Sequence, residues 1–341
     1  MLKNTSIVLS ALLCSLVLFE LFLGNTPFAH GTSPVVYDAD IGMWHKRNFS
    51  GRRTSACFDN RYYLNDQGLV DSSVKYDSGL KDIIVLGDSY VEALMVRKEG
   101  RLANRLSKAY ESKLNVLNYG LAGTSPIQQY VILDQKVNLE NTKLVVQIVN
   151  VESDLRDAVM NARSGVSRPL VFLEFDEAGG FDLIAPKPFE FRDWVRDKLG
   201  LLESFVFLKK AIYHTRKNLS SVLDTEDKKR GNRPEVETID LEKNWVQLNG
   251  VIAETSKLLR AAGVKYVVIF NSRVAENSDR VAQFLEDQDI LYFDLRSYLD
   301  DQGISYESLL YECDRHWSAA GHGVVFKGLQ DTILGNLDIV E

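Results

Sequence analysis

A serine, a histidine and an aspartate occupy positions from which they could act as a nucleophile, a base and an orienting acid. Ser89 follows the apolar run "IIVLG" and Asp88, where a strand is expected to end and a helix to begin. Asp314 and His316 lie two residues apart in "ECDRHWSAAGH", near the other end of the chain. A carboxylate-oriented imidazole can deprotonate a serine hydroxyl that is otherwise a poor nucleophile. These residue types therefore predict acyl-transfer chemistry.

The spacing of Asp314 and His316 favours a direct contact between them. In an extended segment, residues two apart point to the same side, so the carboxylate can accept the imidazole Nδ1–H while Nε2 faces elsewhere. The segment around Ser89 is less specific by itself, because Gly-Asp-Ser is also a common turn and serine is a common helix N-cap. The combination of both segments favours a catalytic role over a structural one.

Apolar runs of strand length alternate with helical patterns from residue 81 onward, which indicates βαβ units and a parallel sheet covered by helices on both faces. In such a sheet, ligands bind at the carboxyl ends of the strands, and Ser89 falls at one of these ends. The predicted strands are 82–87, 114–118, 143–150, 264–270 and 290–294; the predicted helices are about 91–111, 126–139, 241–262, 276–287 and 318–334.

Three segments, in order, resemble the SGNH (GDSL-type) hydrolase family: "GDSY" after the first strand, then "NYGLAG", then "DRHW". The resemblance covers about residues 80–335, and "VVYDADIGM" resembles the lead-in of membrane-anchored bacterial members. It implies an α/β fold of three layers, α/β/α, with a mainly parallel, flavodoxin-like sheet. It also implies hydrolysis of an ester without a cofactor or a metal ion.

The family pattern implies a role for each matching residue. Ser89 matches the nucleophile and, through its backbone N–H, one oxyanion donor; His316 matches the base and Asp314 the orienting acid. Gly123 stands where the family places its second backbone oxyanion donor, a position at which a side chain would crowd the tetrahedral intermediate.

The sequence departs from the family pattern at two positions. Tyr90 replaces the leucine of the usual motif, which supports the site and does not react. The third oxyanion donor is expected to be an asparagine at the end of the third strand, and "VVQIVNVESDL" offers either Asn150 or, if the amide has been replaced, Ser153. We favour Asn150. The choice matters, because one lost donor can cost about 3 to 4 kcal/mol of transition-state stabilisation.

The apolar segment 4–25 carries only Glu20 as a charged residue and follows Lys3. Its length and the charge bias predict an uncleaved, single-pass membrane helix with the rest of the chain outside the cytoplasm; a cleaved signal peptide is the alternative. The expected organisation is an anchor at 1–25, an irregular lead-in at 26–80 and a hydrolase-like domain at 81–341, with an insertion at about 160–240.

Composition restricts the partners and the compartment. The 341 residues carry a formal net charge of −7, so nucleic acid is not expected as a partner. The five histidines show no metal-ligand spacing, and no metal or cofactor is expected. With Cys14 in the apolar segment, Cys57 and Cys313 remain, and they could pair in an oxidising compartment.

The sequence therefore predicts a serine esterase that removes small acyl groups, O-acetyl above all, from carbohydrate. A polysaccharide O-acetyltransferase would use the same triad, with a sugar hydroxyl in place of water. A non-catalytic glycan-binding or assembly protein that keeps the fold is the third alternative. Cleavage of lipid esters or thioesters has less support.

Overall fold

The fold is taken from a computed structural model, which describes residues 2–24, 34–70, 79–157, 170–175, 180–186 and 241–339. Most of the predicted insertion at 160–240, including its charged segment, lies outside these residues.

The N-terminal segment forms one helix, α1 (Leu2–Gly24). Over the ranges described above, no helix combines the length and the apolar character of a membrane span. The predicted transmembrane helix is therefore not confirmed.

The lead-in is more regular than predicted, because it forms two antiparallel strand pairs. The first pair is β1 (Val35–Asp38) and β2 (Gly42–His45); the second is β3 (Phe49–Thr54) and β4 (Asp59–Leu64). Ile41, Met43 and Trp44 are buried in the same apolar cluster as residues of the central sheet. The lead-in is thus packed onto the main domain.

The central sheet has five parallel strands in the order β6–β5–β7–β10–β11. Numbered along the sheet alone, this is the order 2-1-3-4-5 of flavodoxin-like folds, as predicted. Outside this sheet, β8 and β9 pair with each other in antiparallel orientation. The strands are β5 (Asp82–Gly87), β6 (Asn115–Gly120), β7 (Thr142–Asn150), β8 (Phe172–Phe175), β9 (Phe181–Ile184), β10 (Lys265–Asn271) and β11 (Leu291–Asp294).

Eight helices of the described chain follow α1, and two predictions about them were wrong. The helix predicted at 91–111 is two helices, and the helices after β7 and β11 were not predicted. The others match to within a few residues. They are α2 (Ser89–Glu92), α3 (Leu102–Ala109), α4 (Pro126–Lys136), α5 (Val151–Asp157), α6 (Leu241–Ala261), α7 (Ala275–Asp287), α8 (Leu295–Gln302) and α9 (Ala319–Thr332).

Helices cover both faces of the sheet, because consecutive residues of each strand point in opposite directions. Ile84 and Leu86 of β5 belong to one apolar cluster, which also contains Trp245 and Leu248 of α6. Ile83 and Val85 belong to the other, with residues of α3 and α9. The three-layer α/β/α architecture follows.

Candidate active site

Ser89 begins α2 directly after β5, at the carboxyl edge of the sheet. The Asp88 carboxylate caps the helix by accepting a hydrogen bond from the Tyr90 N–H at 2.9 Å. Gly87 is required by close approach, since a Cβ there would lie 2.3 Å from Cγ2 of Val91. The chain therefore turns sharply enough to present Ser89, which is only half-buried.

The structure brings the three predicted residues into one hydrogen-bonded chain. His316 Nε2 lies 2.8 Å from Ser89 Oγ, and His316 Nδ1 lies 2.6 Å from Asp314 Oδ1. A carboxylate only accepts, so Nδ1 carries a proton that it donates to Asp314, and in the neutral imidazole Nε2 is free to accept the Ser89 proton. This is the geometry of a nucleophile, a general base and an orienting acid.

The loop that carries Asp314 and His316 is fixed from several sides. The Tyr311 N–H donates to the His316 carbonyl at 2.8 Å, and Arg315 adopts a left-handed backbone with φ of 58°. The Tyr90 ring packs on the imidazole with the ring centroids 5.0 Å apart. A disulfide between Cys57 and Cys313, the pairing that the sequence left open, ties this loop to the lead-in.

The pKa of His316 reflects opposing influences. Burial lowers it, but the hydrogen bond to Asp314, the charge of that carboxylate and the charge of Asp88 outweigh burial, so the pKa lies above its ordinary value of 6.5. Burial also raises the pKa of Asp88.

This shift sets the pH dependence that we expect. Neutral imidazole is the competent base, so kcat/KM rises with pH and reaches half its plateau above pH 6.5. The measurement is a pH profile of kcat/KM on a soluble acetyl ester, with chemistry shown to be rate-limiting by a solvent isotope effect. A profile that is flat from pH 5 to 9, roughly the range over which a histidine base titrates, would contradict the role of His316.

Gly123 lies in the turn after β6, at the same edge of the sheet. Its φ of 80° is in the left-handed region that favours glycine. The turn is closed by the Thr124 hydroxyl, which donates to the Leu121 carbonyl at 2.7 Å, and is joined to β5 by the Leu121 N–H, which donates to the Gly87 carbonyl at 3.0 Å. These contacts place the turn next to Ser89.

A buried pair that the sequence analysis missed supports this turn. His45 of β2 lies with Nε2 2.8 Å from Glu92 Oε1 and with Nδ1 2.9 Å from the Gly68 carbonyl. The same Glu92 oxygen accepts from the Ala122 N–H at 3.3 Å. Two buried side chains, His45 and Glu92, therefore connect the lead-in to the turn that carries the candidate oxyanion donor Gly123. No sequence motif had indicated these contacts.

The two candidates for the third oxyanion donor, Asn150 and Ser153, make different contacts. The Asn150 amide, at the end of β7, donates through Nδ2 to Asp88 Oδ1 at 3.2 Å and accepts through Oδ1 from Asn271 Nδ2, also at 3.2 Å. Ser153 donates instead to the Asn150 carbonyl at 3.0 Å, within the start of α5. The contact of Asn150 with Asp88, the residue before the nucleophile, favours Asn150 as the third donor.

We expect Asn150→Ala to lower kcat by about 100- to 1,000-fold with little change in KM, the effect typical of a lost oxyanion donor. Ser153→Ala serves as the matched control, because it removes a polar group from the same edge and should change kcat by less than about threefold. Steady-state kinetics on one acetyl ester measures both variants. The reverse ranking would assign the third position to Ser153.

His322, the histidine of the last helix, has no catalytic contact. It is 1% exposed, its Nδ1 accepts from the Leu102 N–H at 3.3 Å, and burial lowers its pKa to about 3. It is a neutral packing residue.

Comparison with known proteins gives distant similarities. No protein-family model and no curated protein matches the chain. Among solved structures, TesA is 13% identical over 75% of this chain and 100% of its own, with a TM-score of 0.40. The acetylxylan esterase Axe2 from Geobacillus stearothermophilus is 12% identical over 76% and 96%, with a TM-score of 0.40. A lipolytic protein of the G-D-S-L family from Desulfitobacterium hafniense is 13% identical over 74% and 98%, also with a TM-score of 0.40. At these values the similarity assigns no activity.

Proposed function

We propose that this protein is a serine esterase that removes small acyl groups, O-acetyl above all, from carbohydrate. The observation that carries the proposal is the contact of Ser89 Oγ with His316 Nε2 at 2.8 Å, combined with the contact of His316 Nδ1 with Asp314 at 2.6 Å. Two of these residues are 227 positions apart, so the arrangement is a product of the fold and not of local sequence.

In the proposed reaction, Ser89 Oγ attacks the ester carbonyl while His316 Nε2 takes the hydroxyl proton. The backbone N–H groups of Ser89 and Gly123 and the Asn150 amide stabilise the negative oxygen of the tetrahedral intermediate. His316 then returns the proton to the sugar oxygen, which leaves as an alcohol. Water, deprotonated by the same imidazole, attacks the acyl-enzyme. The bond between the acyl carbon and Ser89 Oγ then breaks, the imidazolium returns its proton to Oγ, and the acid is released. Asp314 holds the imidazolium throughout.

The carbohydrate substrate is supported by the resemblance of the three motifs to polysaccharide-modifying members of the SGNH family. A sugar hydroxyl as the leaving group also suits the half-buried Ser89, because the saccharide can stay outside the protein while only the acyl group enters the site. O-Acetyl transfer to a second sugar would use the same residues, with the acceptor hydroxyl in place of water.

The products distinguish hydrolysis from transfer. Purified protein is given an activated acetyl ester with and without an oligosaccharide acceptor, and free acetate and acetylated glycan are quantified. The proposal expects acetate at the same rate in both reactions. Acetylated glycan at the expense of acetate would show a transferase, and neither product would favour a glycan-binding protein without activity.

The proposed location is outside the cytoplasm, with α1 as the membrane anchor. Support comes from the disulfide between Cys57 and Cys313, because cytosolic thiols are normally kept reduced. Exposed apolar side chains on α1, among them Leu12, Leu18 and Phe22, agree with a lipid contact. Fractionation of cells, combined with thiol alkylation before and after reduction, tests both parts of this proposal.

A further inference from the structure

A loop with an exposed arginine lies at the carboxyl end of β10, beside the proposed oxyanion donor Asn150. Asn271, the last residue of β10, pairs with Asn150 in the sheet register. The loop that follows is held by Glu152, whose Oε1 accepts from the Ser272 hydroxyl at 2.6 Å and from the Arg273 N–H at 3.2 Å. The backbone of Arg273 is therefore fixed at the edge of the sheet that carries the site.

The Arg273 side chain is oriented by an aromatic ring. Its guanidinium carbon lies 5.2 Å from the centroid of the Tyr306 ring, a cation–π contact. The Tyr306 hydroxyl accepts a hydrogen bond from Asn271 Nδ2 at 2.8 Å, and the same nitrogen lies 3.2 Å from Asn150 Oδ1. A short chain of contacts thus links the guanidinium to the proposed oxyanion hole.

Arg273 is exposed and forms no salt bridge with any described residue. A guanidinium presents five N–H donors in a planar fork, which matches the two oxygens of a carboxylate or phosphate. The guanidinium also forms a side-chain hydrogen bond with Tyr306 and lies within range of the Glu152 charge. The donors that Tyr306 does not use can bind an anion from solution.

A second exposed arginine lies in the loop that carries His316. Arg315 lies between Asp314 and His316, and its carbonyl accepts from the Tyr90 hydroxyl at 3.1 Å. Both arginines act on one exposed carboxylate: the pKa of Glu307 is lowered by its own backbone N–H, by the Ser305 hydroxyl and then by the charges of Arg273 and Arg315. In a chain of net charge −7, two arginines at the rim of the site are a local exception.

We propose that Arg273, assisted by Arg315, binds an anionic group of the substrate, so that the esterase acts on acylated acidic saccharides. The anion is a carboxylate, as in a uronic acid, or a phosphate on the sugar. This inference rests on the proposed function, because it names the substrate class of the same site. Glu307 competes with the substrate anion for Arg273 only weakly, because its carboxylate is exposed to solvent, where charge interactions are weakest.

The test uses sugars that differ in one group. An O-acetylated methyl glucoside is compared with the glucuronoside and with the glucoside 6-phosphate, each acetylated at the same hydroxyl. The full-length wild type should show a higher kcat/KM on at least one acidic sugar than on the neutral sugar. Arg273→Gln should lower this acidic-to-neutral ratio about tenfold, the scale of one hydrogen bond to a charged group. The ratio of Arg273→Lys should lie between those of the wild type and Arg273→Gln, because lysine keeps the positive charge but lacks the planar set of donors.

Lys257→Gln is the matched control, since it removes one positive charge from an exposed position on α6 and should leave the ratio unchanged. Equal ratios for wild type and Arg273→Gln, or a wild-type ratio of one or less on both acidic sugars, would overturn the proposal. Binding to Ser89→Ala, measured by calorimetry, keeps the inference separate from turnover. If Ser89→Ala binds an acidic sugar more tightly than the neutral sugar, and if adding Arg273→Gln removes this difference, the subsite is supported even without hydrolysis. Equal binding of all three sugars to Ser89→Ala refutes it.

Discussion

Ser89→Ala is expected to lower kcat for acetyl ester hydrolysis on the order of 10⁵- to 10⁶-fold, the scale of loss when a catalytic triad loses its nucleophile. Without Oγ, no acyl-enzyme can form. The remaining route is direct attack of water on the ester, with stabilisation from the oxyanion donors alone. The fold should survive, because Ser89 is half-buried and α2 is capped by Asp88 and not by Ser89. Initial rates over a range of ester concentrations measure the effect.

The control for this variant is Ser107→Ala, a half-buried serine on α3. It should keep kcat within about twofold and should unfold at the same temperature as Ser89→Ala, which separates loss of chemistry from loss of structure. Retention of more than about a hundredth of the wild-type kcat by Ser89→Ala would show that another group is the nucleophile.

Asp314→Asn is expected to lower kcat by about 10⁴-fold while leaving the geometry of the site intact. An asparagine can donate a hydrogen bond to Nδ1, which would place the imidazole proton on Nε2 and block the base. The variant leaves the burial that lowers the pKa of His316 and removes two of the influences that raise it, the hydrogen bond to the Asp314 carboxylate and the charge of that carboxylate. The residual activity should therefore reach half its plateau at a lower pH than the wild type.

Asp331→Asn, on the exposed end of α9, is the control because it removes a carboxylate whose ion pair within the described part of the chain is with Lys327. It should change neither kcat nor the pH profile. An Asp314→Asn variant with near-normal kcat would mean that the imidazole is oriented by another group, for which the Asp314 carbonyl, 3.1 Å from His316 Nδ1, is the nearest candidate.

The parallel sheet could be predicted from sequence because its signals are local, and the same holds for the two segments that carry Ser89, Asp314 and His316. Each strand of the sheet is a short apolar run followed by a turn residue, and Ser89 is marked by the glycine and aspartate before it. Asp314 and His316 are two residues apart, so their contact needs only an extended loop. The contact of His316 with Ser89 was inferred from strand order and the family resemblance.

The break between α2 and α3 could not be predicted, because it is imposed by distant residues. The segment "VEALMV" continues a helical pattern, yet Ala93 is left-handed with φ of 47°. Arg101 Nε donates to the Ala93 carbonyl at 3.0 Å, and Asn60 of β4 donates through Nδ2 to the carbonyls of Leu94 and Val96 at 2.8 Å. These bonds use carbonyls that a continuous helix would need for itself.

The contacts around the triad also escaped prediction, since they join residues that share no sequence pattern. His45 and Glu92 are 47 positions apart, and Asn150 and Asn271 are 121 apart. A histidine in a lead-in strand or an asparagine at a strand end is common in any protein. Only the fold shows that these residues contact one another beside the candidate oxyanion donors.

The most direct test of the account is covalent labelling by a fluorophosphonate probe, which reacts with serines activated by a neighbouring base. Wild-type protein is treated, digested and examined by mass spectrometry beside Ser89→Ala and a known serine hydrolase. The account predicts one probe adduct, on the peptide that contains Ser89, and none in the variant. An unlabelled wild type beside a labelled reference enzyme, or an adduct that persists in Ser89→Ala, would contradict the claim that Ser89 is the activated nucleophile.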